Sequence, residues 1–256
     1  MTRRKFAQAI SAGAAGLAGL AITSPSHAQA GNALCRLNAR PGVPASEIAK
    51  PGLHHLGLRN DRDALFYIPA AAAKFTKAPL IVSLHGATRG PERGIDLLRT
   101  LADEHGFLLL APASEGQTWD AITSAWGTDA VFINQSMIRA FSLYPVDAAR
   151  VAMAGFSDGA SCSLSIGLSN GDFFSAVFGF SPGFVLRDER AGKPPVFISH
   201  GTQDQVLPID QCSRLIVPAL RRDQYKVTYR EFEGKHTLPP DVAAEAMKWF
   251  MGLKQS

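Results

Sequence analysis

Gly155-Phe156-Ser157-Asp158-Gly159 sets a serine between two glycines, directly after the apolar run Val151-Ala152-Met153-Ala154 and before a helix-forming stretch. A nucleophile elbow requires that context: a sharp strand-to-helix turn holds the serine in a strained backbone shape and lifts its hydroxyl clear of the sheet. The flanking glycines answer a steric demand, because neighbouring backbone comes too close there for a Cβ. A serine hydroxyl is a weak nucleophile at neutral pH and needs a base. Two histidines follow it, His200 and His236. His236, in Glu233-Gly234-Lys235-His236, lies just past the last apolar strand, on a loop able to reach back over the sheet, and is the expected base. His200 closes the run Val196-Phe197-Ile198-Ser199 and precedes Gly201, a position that shapes the turn carrying the acid.

That acid is expected on the same turn. Asp204, in His200-Gly201-Thr202-Gln203-Asp204-Gln205-Val206-Leu207-Pro208, sits where a carboxylate can accept the proton-bearing nitrogen of His236, hold the useful tautomer and stabilise the imidazolium. Asp210 is its rival, but after Pro208 it suits the first turn of a helix, facing the positive end of the dipole. A tetrahedral intermediate also needs preorganised donors. The backbone N–H of Asp158 is one candidate, and that of Ala87, in Leu84-His85-Gly86-Ala87-Thr88, is the other. His85 precedes the serine and reads as a loop-bracing residue.

The elements that must position these residues follow from apolar periodicity. Strands are expected at Leu65–Ile68, Leu80–Leu84, Phe107–Leu110, Arg150–Ala154, Ser175–Phe180, Val196–Ser199 and Val227–Phe232. Helices are expected at Ile95–His105, 129–143, Asp158–Ser169, Ile209–Arg222 and Asp241–Leu253. Residues 31–60 are rich in turn formers and read as irregular. Alternating β and α units with continuously apolar strands imply an α/β fold, a mostly parallel central sheet with helices on both faces. No linker or internal repeat divides residues 31–256, which are expected to form one domain.

Composition narrows the function. Apolar residues make up 46% and charged residues 19% of the 256, a globular balance. The net charge of +4 is concentrated at the start: without residues 1–30 there remain 23 basic and 22 acidic side chains. No basic run supports nucleic-acid binding. Residues 1–30 read as an export signal. Arg3-Arg4-Lys5-Phe6 is a basic start, Ala7 to Ile22 is mildly apolar, and Ala28-Gln29-Ala30 suits cleavage. The twin arginines resemble a Tat-type leader, placing the mature protein in the periplasm or outside the cell. The sixteen residues Ala7 to Ile22 fall short of the roughly 20 that span a bilayer, so no stable membrane anchor is expected. An oxidising compartment permits one disulfide among Cys35, Cys162 and Cys212; Cys162, one turn beyond Ser157, reads as a buried thiol, which favours Cys35–Cys212. No cysteine spacing resembles a zinc site, and no metal or cofactor is expected.

His85-Gly86, the Gly155–Gly159 pentapeptide with Asp147-Ala148-Ala149-Arg150-Val151 before it, His200 to Asp204 with Val206 and Pro208, and Gly234-Lys235-His236 together resemble the α/β-hydrolase superfamily. They are closest to its phospholipase/carboxylesterase branch and to the polyhydroxybutyrate-depolymerase and feruloyl-esterase-like secreted enzymes. The resemblance spans about residues 64–253. It implies hydrolysis of a small or oligomeric carboxylic ester through an acyl-enzyme on Ser157, Asp204 and His236. One departure stands out: Ala87-Thr88-Arg89-Gly90 is not the glycine-rich loop of many lipases. Trp119, Trp126 and Phe156 are candidate walls for the acyl or aromatic group, although tryptophans buried in the core fit the same sequence; Phe184 shares that ambiguity. A polyhydroxyalkanoate-oligomer depolymerase or feruloyl-type esterase is the alternative among esterases. A non-catalytic binding protein on the same fold would need a broken triad, and none of the three positions is broken.

Overall fold

The computed structural model describes residues 35–44, 47–123, 127–186 and 189–253. Its eight-stranded sheet has the spatial order β1-β2-β4-β3-β5-β6-β7-β8. The strands are β1 Gly52–His55, β2 Leu65–Ile68, β3 Ala78–Leu84, β4 Leu108–Ala111, β5 Val146–Gly155, β6 Ala176–Phe180, β7 Val196–Gly201 and β8 Val227–Phe232. β1 and β2 run antiparallel to their neighbours, and the pairs from β4 through β8 are parallel. The helices are α1 Pro91–Asp96, α2 Arg99–His105, α3 Asp120–Thr123, α4 Thr128–Leu143, α5 Asp158–Ser169, α6 Ser213–Arg222 and α7 Pro240–Met251.

Two apolar cores, one on each face, explain why the central strands are continuously apolar. Leu80, Val82, Val151, Met153, Val196 and Ile198 face a core with Phe132, Met137, Leu164 and Leu220 from α4, α5 and α6. The alternate residues Ile81, Ala152, Ala154 and Phe197 face a second core with Ile95, Ala102, Met247 and Phe250 from α1, α2 and α7. Successive strand residues point to opposite faces, so both sets must be apolar when both faces are covered. Each fully buried large side chain contributes about 1.5–3 kcal/mol relative to exposure.

The structure departs from the sequence reading in four places. Residues 31–60 are not wholly irregular: Gly52–His55 forms the edge strand, pairing Gly52 with Ile68. Its half-buried, short Gly-Leu-His-His run lacks the β-branched residues that mark a strand. The helix expected over 95–105 is two helices. Pro91 at the first position extends the start, and Leu98, at φ −134° and ψ 7°, breaks the run between them. The helix expected from Ile209 is likewise a 3-10 turn, Ile209–Gln211, followed by α6 after a break at Cys212. Finally, the Cys35–Cys212 disulfide is not formed. Cys35 packs in the first core, with its carbonyl accepting a bond from Asn170 at the end of α5, whereas Cys212 sits at the break before α6. Cys162 is a buried thiol.

The chain's first described residues are tied down at long range. Leu37 N–H donates to Asn170 Oδ1 at 2.8 Å, and Arg36 pairs with Asp172 at 2.8 Å. Asn134 Oδ1, on α4, accepts from the amides of Asn38 and Ala39. Among the described residues no helix is long and apolar enough to cross a membrane.

Candidate active site

β5 ends at Gly155 and α5 begins at Asp158, which leaves Phe156 and Ser157 to make the turn. Ser157 adopts φ 58° and ψ −123°. A positive φ in a residue with a Cβ costs on the order of 1–3 kcal/mol and persists only where the surroundings impose it. Here Ser157 N–H donates to the Phe180 carbonyl at 3.0 Å, and its own carbonyl accepts from the amides of Ala160 and Ser161 at 2.9 and 3.1 Å. A Cβ at Gly155 would collide with the backbone of Gly159, and one at Gly159 with the carbonyls of Leu84 and His85. The spacing of the two glycines is therefore a packing requirement.

Ser157 Oγ lies 2.9 Å from His236 Nε2, and His236 Nδ1 lies 2.6 Å from Asp204 Oδ2. The other carboxylate oxygen of Asp204 accepts from the amides of Val206 and Leu207, both at 2.9 Å. Burial pushes the Asp204 carboxyl up, but the Leu207 amide, His236 and the Val206 amide together hold it below the usual carboxylate range. With an anionic partner at Nδ1, the proton of neutral His236 belongs on Nδ1, leaving Nε2 as acceptor for the serine proton. The loops carrying the two residues are joined by Gln203 N–H to Gly234 carbonyl, 2.9 Å. Asp210 is exposed and bonded to Arg214 at 2.8 Å, away from this line.

His85 organises the facing loop. Its Nε2 accepts the Ser114 amide at 3.1 Å, so its proton sits on Nδ1 and donates to the Gly86 carbonyl at 2.8 Å. Burial pushes its pKa below the usual imidazole range, in keeping with a neutral ring. Fixing that carbonyl fixes the peptide plane. In a trans peptide the N–H of Ala87 then points the opposite way. The Asp158 N–H, first in α5, has no acceptor within its own helix and lies at the positive end of the helix dipole. Residues 115–119 brace both donors. Thr88 N–H donates to Gln117 carbonyl at 2.6 Å, and the Thr118 hydroxyl donates to Asp158 Oδ2 at 2.5 Å. The buried Asp129 clamps this segment in turn, accepting from the amides of Glu115 and Asp120 at 2.6 and 2.7 Å.

A cavity of about 760 Å³ opens beside Ser157 and His236. Phe156 forms part of its wall, with its ring 4.8 Å from that of His236. Leu97 and Leu98 at the α1–α2 break, Leu101 on α2 and Leu238 from the histidine loop add to the apolar wall. Arg89 and Arg93 stand among the residues around it. Trp119 does not line it. The indole is fully buried, stacks 4.8 Å from the His85 ring and donates Nε1–H to the His85 carbonyl at 2.9 Å. It therefore supports the loop from below, and a satisfied N–H is what permits that burial. Trp126 lies outside the described residues. Phe184 lines a separate cavity between the loop after β6 and α6.

The model of the phospholipase/carboxylesterase family matches residues 124–251. The chain belongs to this family. Its members are serine hydrolases acting on ester bonds, and so is this protein. Among solved structures, an esterase designated PE8 is similar with a TM-score of 0.60 at 22% identity, over 72% of this chain and 95% of its own. A Bacillus cereus carboxylesterase gives 0.58 at 16%, over 75% and 95%. An acetyl xylan esterase from Aspergillus awamori gives 0.59 at 15%, over 78% and 99%. At these identities the likeness establishes the α/β-hydrolase fold. No curated protein shows significant sequence similarity to the chain.

In this serine hydrolase the structure brings Ser157, Asp204, His236, Ala87, Asp158 and Phe156 to one place. The sequence reading missed the leucine wall. Leu97, Leu98 and Leu101 fall within the one helix expected over 95–105, whose break into α1 and α2 the sequence did not announce.

Proposed function

We propose that this protein is an exported carboxylesterase that hydrolyses small esters through an acyl-enzyme on Ser157. The observation that carries the reading is the unbroken line from Ser157 Oγ through His236 to Asp204 at the floor of the 760 Å³ cavity. His236 Nε2 takes the Ser157 proton as the oxygen attacks the ester carbonyl, and Asp204 stabilises the imidazolium that results. The N–H groups of Ala87 and Asp158 receive the developing oxyanion. His236 then protonates the departing alcohol and activates water to release the acid. The leucine wall favours an apolar acyl or alcohol group in the cavity. Export rests on the Arg3-Arg4 start and the Ala28-Gln29-Ala30 pattern.

The test is a panel of p-nitrophenyl acyl esters, aryl esters and polyester oligomers, assayed with wild type and Ser157→Ala. Wild type is expected to turn over the short acyl esters, and the variant to lose at least about 10⁴-fold in kcat while keeping its circular dichroism spectrum. Retained turnover in the variant would overturn the assignment of the nucleophile.

A further inference from the structure

Beside the acid lies a histidine that none of those steps uses. His200 is on β7, next to its last residue, and has no exposed surface. Its ring reaches partners from two separate segments. Nδ1 is 2.7 Å from Ser213 Oγ, at the first position of α6. Nε2 is 2.8 Å from the Leu207 carbonyl and 3.2 Å from Asp204 Oδ2. A carbonyl oxygen has no proton to give, so Nε2 carries the proton and donates. In the neutral ring Nδ1 is then an acceptor, and the Ser213 hydroxyl supplies the bond. Burial pushes the His200 pKa below the usual imidazole range, against the opposing pull of the Leu207 carbonyl and Asp204. Glu231 stands opposite His200 on β8, but both its carboxylate oxygens are engaged by Arg214, at 3.0 and 2.7 Å.

The consequence falls on Asp204. Its Oδ1 is occupied by two amides, while its Oδ2 faces two imidazoles at once, His236 at 2.6 Å and His200 at 3.2 Å. The amide grip on Oδ1 depends on where the 206–207 segment lies, and His200 pins that segment by donating to the Leu207 carbonyl while keeping its N–H edge 3.2 Å from Oδ2.

We propose that Ser213, His200 and Leu207 form a relay that positions the acid: the Leu207 carbonyl fixes the proton of His200 on Nε2, and the Ser213 hydroxyl holds the ring from Nδ1. The ring so held anchors the segment whose Val206 and Leu207 amides grip Asp204 Oδ1, with its N–H edge 3.2 Å from the oxygen that meets His236. His200 is a positioning residue, acting on the serine only through Asp204 and His236. The proposal rests on the esterase reading, and its test includes a measurement that needs no substrate.

His200→Leu fills most of the ring's volume without a donor, whereas His200→Gln places an amide nitrogen near the position of Nε2. His200→Leu is expected to lower kcat about 100-fold with KM unchanged, the scale of a 1 Å misplacement. His200→Gln should recover most of that loss. In the free enzyme, the low-field proton resonance of the His236–Asp204 hydrogen bond should move upfield in His200→Leu and stay in place in His200→Gln. A merely space-filling histidine predicts that the resonance stays put and that kcat per folded molecule is retained in His200→Leu; either result overturns the relay. Should His200→Leu fail to fold, Ser213→Ala decides the matter. Loss of that one hydrogen bond is expected to lower kcat roughly three- to tenfold, to shift the Nδ1 resonance of His200 in ¹⁵N spectra, and to move the His236–Asp204 proton resonance upfield. An unchanged rate and an unchanged His236–Asp204 resonance overturn it. If wild type hydrolyses no ester, the esterase reading fails while the resonance still reports on the relay.

Discussion

The two halves of this molecule contribute different kinds of matter to one site. The half matched by the phospholipase/carboxylesterase family model, residues 124–251, holds β5 to β8 and delivers Ser157, Asp204 and His236 as polar side chains linked at 2.9 and 2.6 Å. The other half, with β1 to β4, α1 and α2, delivers a backbone amide at Ala87 and the apolar wall of Leu97, Leu98 and Leu101. In the proposed reaction the matched half supplies the reacting side chains, and the other half shares the cavity wall with Phe156 and Leu238. The division follows from the physics of each role. Proton transfer tolerates little error in distance, whereas an apolar wall trades a few methylenes for modest changes in preference.

Perturbing each half should therefore cost different amounts and change different quantities. Asp204→Asn, in the matched half, presents an amide to His236 Nδ1 and forces the wrong tautomer; kcat is expected to fall about 10⁴-fold with little change in KM. In the other half, Ala87→Pro deletes one oxyanion donor and should cost about 10²–10³ in kcat, with circular dichroism confirming the fold. Leu101→Ala should leave acetate esters almost untouched and shift kcat/KM toward longer acyl chains by about tenfold. If Leu101→Ala instead lowered every substrate equally, the division between halves would be wrong. The smallest effect is on stability. The Asp204 carboxyl is held below its ordinary range, so the folded state binds its proton less readily than the unfolded chain. That stabilisation is present above the unfolded value of about 3.9 and is lost as pH falls through the folded one. The gap in urea midpoint between wild type and Asp204→Asn should accordingly narrow below about pH 4.

Legibility in the sequence divides along the same line. The elbow was readable because three steric facts coincide in five residues: a buried strand, a forced positive φ at Ser157, and glycines where a Cβ would meet backbone. Asp204 and His236 were readable from their places after β7 and β8. The α/β sheet was readable because both of its faces are covered. What could not be read depends on tertiary geometry. Trp119 fitted either a pocket wall or the core, and its burial and bond to the His85 carbonyl show it to be a prop beneath the loop. The break at Leu98 leaves no proline or glycine as a marker, so one expected helix became two and the leucine wall went unseen. The cysteine pairing failed because counting thiols carries no information about their separation.

The strap of Arg36 to Ala39 carries a consequence for the order of assembly. Leu37 reaches its partner Asn170 across 133 positions, and that partner closes the helix that begins at the elbow. On a growing chain the strap can meet Asn134 of α4 first, but its grip at Asn170 waits until the later helix has been made. Closing so long a loop early costs entropy that no contact yet repays. Folding is thus expected to build the sheet and the elbow first and to lay the leading end across them last, as a clasp fastened on a finished box.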